Sequence, residues 1–174
     1  MTGAAPAAAG RDAVRRAREV AATVTDPELP MLTLADLGVL RDVSVRDGTV
    51  EVAITPTYSG CPALTAMRDD LLTRLRGAGF PDVRVRVELH PAWSTDRITE
   101  HGRRTLAEHG ISPPGPAPAR SGPVPLTLEP PRRAVHCPRC GDTGELVSEF
   151  GAAPCRALYR CPSCGEPFEH VKEL

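Results

Sequence analysis

The sequence predicts an α/β chain of the α+β type, with a small three-stranded mixed sheet flanked by helices and a separate C-terminal four-cysteine module. Three observations lead to this prediction. Residues 41–55 contain two alternating apolar runs joined by Asp-Gly, the strongest short-range signal for a tight hairpin. Two helical patterns and a third alternating run surround that hairpin. After a proline-rich stretch, two Cys-x-x-Cys-Gly turns are separated by twenty residues.

The composition is typical of a globular chain and excludes two classes of partner. The formal net charge is −1, and residues 132–174 contain six basic and six acidic residues, so nucleic-acid binding is disfavoured. No apolar run approaches a membrane span, and residues 1–10, an expected disordered leader, lack a secretion signal. We therefore expect a cytoplasmic protein with no membrane partner. In that compartment, six cysteines favour metal or thiol chemistry over disulphides.

The first predicted domain covers residues 11–111. It starts with a helix over 11–24, where apolar residues recur at helical spacing. The hairpin turn sets Val45 opposite Val50 and Val43 opposite Val52, which puts each pair on one face. A second helix follows Cys61, a third strand over 83–89 points its apolar residues inward, and a last helix covers 95–109.

Cys61 lies at the junction between the second strand and the second helix. Pro62 suits the first turn of a helix, so we expect Cys61 at or beside the N-cap. There, unpaired N–H groups and the helix dipole favour the thiolate. The alternative is a small buried hydrophobic residue. Asp26 and Glu28 are paired carboxylates that could bind metal, although beside a helix end such residues are more often caps or solvated charges.

The remaining chain is predicted to be a proline-rich linker over 112–133 and a zinc ribbon over 134–174. Each short turn supplies two sulphurs to one tetrahedral ion, with zinc as the default and iron as the alternative. Strands are expected over 146–149 and 157–160. Cys155 is the spare thiol, either packed near the ribbon or available for transfer or oxidation. The predicted ligands are Cys137, Cys140, Cys161 and Cys164.

These motifs resemble known families. The stretches Asp26-Pro27-Glu28, Asp36-Leu37-Gly38, Thr55 and Cys61-Pro62 are similar to the signature of the MIP18 (DUF59) family, whose members act in iron–sulphur protein maturation. With the Pro-Ala-Trp loop at 91–93 and the ribbon, the whole chain resembles the phenylacetate-degradation protein family that supplies the D component of the bacterial phenylacetyl-CoA epoxidase system. The resemblance implies a small mixed sheet flanked by helices. It also implies that Cys61, Asp26, Glu28 and Thr55 form the cargo site.

The resemblance implies a maturation factor for that multicomponent oxygenase in aerobic phenylacetate degradation, which is not itself catalytic. The implied partners are the oxygenase and iron–sulphur reductase subunits, and the implied cargo on Cys61 is transient iron or an iron–sulphur cluster. A single thiol holds a cluster poorly, so a homodimer, a client or a small thiol would complete the coordination. The alternative is a structural or adaptor subunit with no transferred metal. A third interpretation, Cys61 as a catalytic nucleophile, lacks a histidine that the sequence places as its base.

Overall fold

The structure, a computed structural model, describes residues 6–58, 60–117 and 134–172. It contains two compact units. The first comprises the chain up to Trp93 together with Arg97–Gly102, and the second comprises Ser94–Asp96 and the chain from Arg103 onward. Most of the predicted linker, residues 118–133, lies outside the described residues, as do residues 1–5 of the predicted leader.

The first unit is organised around a three-stranded mixed sheet. Its strands are β1 (Leu40–Arg46), β2 (Thr49–Ile54) and β3 (Val83–Val87), in the order β1-β2-β3. β1 and β2 are antiparallel, whereas β2 and β3 are parallel, so the predicted mixed sheet is confirmed. The predicted pairs Val45–Val50 and Val43–Val52 are observed. Asp47 and Gly48 both have positive φ, as a two-residue type I′ turn requires.

Two helices accompany this sheet. They are α1 (Pro6–Ala21) and α2 (Leu64–Gly77), and α2 buries Met67, Leu71 and Leu75 along one stripe. Helix α1 starts and ends earlier than the predicted range 11–24, so residues 6–10 are not part of a disordered leader. The reason is local: alanine has the highest helix propensity, and proline is well suited to the first helical position.

The inward pattern predicted for the third strand is only partly observed. Val83 is buried and Val85 is half-buried, but Val87 and Leu89 are exposed. Among the described residues, β3 pairs with a neighbouring strand on one side only, and the burial of its alternating valines decreases from Val83 to Val87. The regular alternation in this stretch therefore predicted the strand correctly but overestimated how much of it the core would cover.

A hydrogen-bonded clamp joins the Asp36-Leu37-Gly38 turn to Trp93 and residues 97–102. Asp36 accepts hydrogen bonds from the Thr33 hydroxyl (2.6 Å) and from the Thr99 hydroxyl (3.3 Å). The Trp93 indole N–H donates to the Leu37 carbonyl over 2.9 Å, and the tryptophan is buried in the core. Gly38 has φ +65°, and a Cβ there would lie 2.4 Å from the Arg97 Cβ. This approach permits only glycine.

The second unit contains a four-stranded sheet. Its strands are β4 (Ile111–Ser112), β5 (Glu145–Ser148), β6 (Arg156–Arg160) and β7 (Pro167–Val171), in the order β4-β7-β6-β5. β6 pairs with both β5 and β7 in antiparallel fashion, and β4 lies parallel to β7. The strands predicted over 146–149 and 157–160 correspond to β5 and β6, whereas β4 and β7 were missed because each is short or interrupted by polar residues.

The boundary between the units differs from the predicted one at 111/112. Residues 103–117 belong to the second unit, because β4 pairs with β7 and the Ser112 carbonyl lies 3.1 Å from the ring of buried His170. The predicted helix over 95–109 is a short 3₁₀ turn (Thr95–Arg97) followed by α3 (Glu100–Glu108). A sequence periodicity cannot show a strand pairing between residues so far apart in the chain.

We predict that Gly38→Ala destabilises the protein by about 2–3 kcal/mol, because the alanine adopts a strained positive φ and its Cβ meets Arg97. Urea unfolding of the full chain measures the loss. Gly48→Ala is the matched control: its φ is also positive, but no atom lies within 4 Å of the added Cβ. The control should lose only about 1 kcal/mol, and equal losses in the two variants would contradict the close approach.

Candidate functional site

Cys61 lies in a turn just before α2 rather than at its N-cap. The Cys61 N–H donates to the Tyr58 carbonyl over 3.2 Å, and the Leu64 N–H donates to the Cys61 carbonyl over 3.3 Å. Ala63 is the N-cap residue, and it makes no side-chain capping bond. The helix therefore starts later than predicted, because Pro62 and Ala63 form a turn that closes on Cys61 before the helical hydrogen bonds begin.

The Cys61 thiol has a pKa above its ordinary value, which corrects the prediction of a favoured thiolate. Partial burial is the largest cause of the raised pKa. The backbone N–H groups of Ala63 and Leu64 donate to the sulphur and lower the pKa, but the negative charges of Asp26 and Glu28 raise it further. The N–H groups at the helix start lower the thiol pKa, as predicted, but burial and the two carboxylates raise it by more.

The structure thus brings Asp26 and Glu28 into the neighbourhood of Cys61. Asp26 is buried, and its carboxylate accepts hydrogen bonds from the N–H groups of Glu28 (2.8 Å) and Leu29 (2.9 Å). Its own N–H donates to the Leu32 carbonyl over 2.9 Å. Asp26 therefore caps the 26–32 turn, as the structural alternative expected, while its charge still acts on the thiol. Glu28 is half-buried in the same turn.

Thr55 contributes a buried polar atom to this unit. It directly follows β2, and its side chain is almost completely buried, with 1% of its surface exposed. Its N–H donates to the Val39 carbonyl, but its hydroxyl has no hydrogen-bond partner among the described residues. Such groups are uncommon in folded proteins because an unmade buried hydrogen bond costs about 1–3 kcal/mol. The hydroxyl therefore remains available for a hydrogen bond to a ligand.

These residues suit a positively charged ligand more than thiol catalysis. A cation next to Cys61 would offset two carboxylates and promote loss of the thiol proton. The groups that shift the pKa of Cys61 most are carboxylates and backbone N–H groups, and none of them is a histidine that could serve as a base. The site supplies one sulphur, which is too few to hold an iron–sulphur cluster alone.

The second unit brings the four predicted cysteine ligands together. Their sulphur atoms all lie within 4.8 Å of one another. The sulphurs of Cys137 and Cys164 are 3.8 Å apart, and those of Cys140 and Cys161 are 3.4 Å apart. A tetrahedral ion with metal–sulphur bonds of about 2.3 Å places its sulphurs about 3.8 Å apart. The donor set and spacing therefore fit one tetrahedral metal ion, and Cys155 is not one of its ligands.

The two cysteine turns have the same backbone geometry. In each turn the first cysteine N–H donates to the carbonyl five residues ahead, and the glycine N–H donates back to that first cysteine, all over 2.8–2.9 Å. Both glycines have positive φ, 82° and 78°. This conformation folds each turn tightly around its two sulphurs. The paired residues are Cys137 with Asp142 and Gly141, and Cys161 with Glu166 and Gly165.

Few buried apolar residues surround the four cysteines. Its core cluster is Val135, Cys137, Cys161 and Phe168, with Tyr159 packed against it. Two of these residues, Cys137 and Cys161, also belong to the four-cysteine set. An ion bound by that set would therefore stabilise the packing of the core. Neighbouring thiols shift one another's pKa in opposite directions. Hydrogen bonds from the backbone N–H of Cys164 and from the Cys140 thiol lower the pKa of Cys161 to about 7. The Asp142 N–H lowers the pKa of Cys140, but Cys161 and the other neighbours raise it to about 12.

Other residues considered from the sequence lie outside both sites. Cys155 is half-buried, and its carbonyl accepts a hydrogen bond from the Lys172 N–H over 2.9 Å. His101 and His109 are exposed. Across residues 6–58, 60–117 and 134–172, no helix combines the length and apolar character needed to cross a membrane. Cys155 keeps both alternatives that its sequence position allowed.

Two family models match this chain, one on each unit. Residues 12–89 match the iron–sulphur cluster assembly protein family. Residues 121–172 match the PaaD zinc beta ribbon domain family. The first match includes Cys61, Asp26, Glu28 and Thr55, and the second includes all four clustered cysteines.

Relatives and a solved structure agree with these matches. A protein of Escherichia coli (strain K12) that is assigned as the D component of 1,2-phenylacetyl-CoA epoxidase is 41% identical over 86% of this chain and 86% of its own length. An Fe-S protein maturation auxiliary factor of Porphyromonas gingivalis (strain ATCC BAA-308 / W83) is 34% identical over 48% of this chain and 81% of its own.

The crystal structure of a domain of unknown function DUF59 from Bacillus anthracis shares the fold. Its TM-score is 0.52 and its sequence identity 23%, over 57% of this chain and 96% of that domain. The agreement between this fold and the residues matched by both family models confirms the predicted architecture. The chain belongs to the family of the phenylacetyl-CoA epoxidase D component, in which an iron–sulphur cluster assembly domain precedes a four-cysteine metal-binding ribbon.

Proposed function

We propose that this protein is a maturation factor of the phenylacetyl-CoA epoxidase system and that Cys61 carries iron or an iron–sulphur cluster as transient cargo. The observation that carries the proposal is a half-buried thiol on which two carboxylates act. Thr55, whose buried hydroxyl has no hydrogen-bond partner among the described residues, is proposed to belong to the same site. The names of the two relatives support it, since one is assigned to the epoxidase and the other to Fe-S protein maturation.

The electrostatics of the site suit a carrier that must release what it holds. Asp26 and Glu28 attract a cation and make the metal-free thiolate unfavourable, so bound iron and the thiolate would stabilise each other. Only one sulphur is present, so a second copy, the client or a small thiol completes the coordination. An incomplete ligand set lets the client's own ligands replace the carrier's.

In this proposal the ribbon has a separate role. Its four thiolates hold zinc as a permanent ion, because a closed Cys₄ set with two matching turns is typical of structural zinc sites. The ribbon would then dock the oxygenase and iron–sulphur reductase subunits, and the protein would work with them in the cytoplasm. The zinc stabilises the docking module and takes no part in the transfer.

A second candidate function is a structural or adaptor subunit of the oxygenase complex. One observation favours it: burial and two carboxylates raise the pKa of Cys61, and a thiol in such surroundings is less reactive than an exposed one. The adaptor would bind its partners stably and would not depend on Cys61. The next experiment separates this candidate from the carrier.

We predict that anaerobically purified wild type contains iron and acid-labile sulphide, and that Cys61→Ser loses both because the only sulphur of the site is gone. Zinc should stay near one per chain in both proteins. Activation of the purified oxygenase should fall at least about a hundredfold in the variant. Cys155→Ser is the matched thiol variant and should resemble wild type, because Cys61 carries the cargo in this proposal; loss of iron in Cys155→Ser would assign the transfer to Cys155 instead. A Cys61→Ser protein that activates the oxygenase normally would refute the carrier and favour the adaptor.

The carboxylate effect on Cys61 has its own test. Glu28→Gln removes a negative charge that raises the thiol pKa, so the pKa falls and the thiolate fraction at pH 8 rises. We predict that iodoacetamide alkylates Cys61 about twofold faster in this variant, as followed by mass spectrometry of the Cys61 peptide. Glu19→Gln, on the exposed side of α1, is the control and should leave the rate unchanged. A slower or unaltered rate in Glu28→Gln would contradict the assignment.

We predict that Cys140→Ser abolishes zinc binding and unfolds the ribbon. Amide exchange in residues 134–172 should become at least about a hundredfold faster, because the remaining apolar cluster is too small to fold alone. Exchange in β1 and β2 of the first unit should stay slow. Ribbon strands that remain protected in the zinc-free variant would show that the metal does not supply the folding energy.

A further inference from the structure

The second unit displays apolar side chains along one edge. Leu146 is 38% exposed and Val147 is 59% exposed, and Phe150, just beyond the strand, is 72% exposed. Aromatic residues make up only 3% of the chain, so a phenylalanine that is exposed rather than buried in the core is informative. We call residues 145–150 the β5 edge. Exposed clusters of this kind often mark protein interaction sites.

The β5 edge has backbone groups free to bind another strand. β5 is the last strand in the order β4-β7-β6-β5, and in the described part of the chain it pairs only with β6. Its outer side therefore carries main-chain N–H and C=O groups that an extended segment could pair with. The apolar side chains would supply pockets or anchors for such a segment.

The loop that presents Phe150 is held by several interactions. The Ser148 hydroxyl accepts a hydrogen bond from the Phe150 N–H (3.1 Å) and donates one to the Phe150 carbonyl (2.9 Å). The Gly151 N–H donates to the Arg156 carbonyl over 2.9 Å. The Lys172 ammonium lies 4.7 Å from the centre of the Phe150 ring. The ring is therefore positioned before any partner arrives, which reduces the entropy lost on binding.

The charges along this edge indicate which partner fits. Asp142, Glu145 and Glu149 are exposed, and no basic residue occurs between Gly141 and Cys155. Arg160 is the strand partner of Glu145, and the Lys172 ammonium lies over the Phe150 ring, so the acidic character of this edge is strongest at Asp142 and Glu149. If two copies of the chain paired antiparallel through β5, these carboxylates would face like charges, which is unfavourable across strands. A segment that carries lysine or arginine beside apolar residues would find opposite charges instead.

We infer that the β5 edge is the docking site for a client protein, which adds an extended apolar segment flanked by basic residues alongside β5. Phe150 is the anchor of this interface, and the exposed carboxylates set its specificity. The inference rests on the proposed maturation role, for which it names the docking surface and the chemistry of the partner segment.

The test measures binding of the full-length protein to each purified oxygenase and reductase subunit of the epoxidase by biolayer interferometry. At least one subunit should bind wild type, and Phe150→Ala should raise its Kd about tenfold or more. Glu149→Lys should also weaken binding and reduce its salt dependence. Leu89→Ala, which removes a 50% exposed side chain from the first unit, is the matched control and should bind as wild type does.

Two further measurements identify the occupant. On binding, amide exchange in residues 145–150 should slow, as strand addition requires. Light scattering should show that free wild type does not dimerise through this edge. The inference is overturned if no subunit binds, if Phe150→Ala binds normally, if these amides stay unprotected, or if wild type is a dimer that Phe150→Ala dissociates.

Oxygenase activation separates this inference from the proposed function. If Phe150→Ala activates the oxygenase normally while Cys61→Ser does not, the docking site is wrong and the carrier stands. If Cys61→Ser activates normally and Phe150→Ala does not, the carrier is wrong and docking at the β5 edge stands. Zinc content and melting temperature, equal to those of wild type, show that each variant is folded.

Discussion

In both units of this protein, the cysteine thiols would ionise more easily if a cation lay beside them. In the second unit, four thiols lie within 4.8 Å of one another, and they can all ionise only if a cation sits among them. In the first unit, a single thiol lies near two carboxylates that disfavour its ionisation. The same physical requirement has different consequences in the two places, because four sulphurs can close around an ion and one cannot.

The backbone around each site reflects this difference. In the ribbon, two turns with identical hydrogen bonds hold their sulphurs in position, and the cysteines form part of the small core. An ion bound by these cysteines would therefore also hold together the residues of the small core. Around Cys61, the supporting contacts belong to the turn itself, and Cys61 is only half-buried. The buried core of the first unit therefore does not include this thiol, as the proposed carrier role requires.

Asp26 illustrates how a structural role and a functional one can share a residue. Its carboxylate caps a turn through two backbone N–H groups, which is the role that sequence reasoning favoured. That cap also keeps its negative charge close to Cys61, where the charge raises the thiol pKa. Asp36 has only the structural role, because its partners Thr33 and Thr99 belong to the clamp around Gly38.

Features that depend on neighbours along the chain could be predicted from the amino-acid sequence. The Asp47-Gly48 turn sets the hairpin register, the stripe on α2 follows from its periodicity, and the spacing of the four cysteines predicts their cluster. The family resemblance added Asp26 and Thr55 to the site around Cys61. Periodicity could not have connected Asp26 with Cys61, because the two residues are too far apart in the sequence.

Features that depend on groups brought together through space became visible in the folded chain. The pKa of Cys61 is raised because burial and two remote carboxylates outweigh the helix start beside it. β4 joins the second unit because its partner strand lies near the other end of the chain. Val87, at the end of β3, and Leu89, beyond it, are exposed although they continue the apolar alternation. A sequence pattern shows which residue types alternate. The burial of a side chain and the pKa of an ionisable group depend on the residues that pack around it.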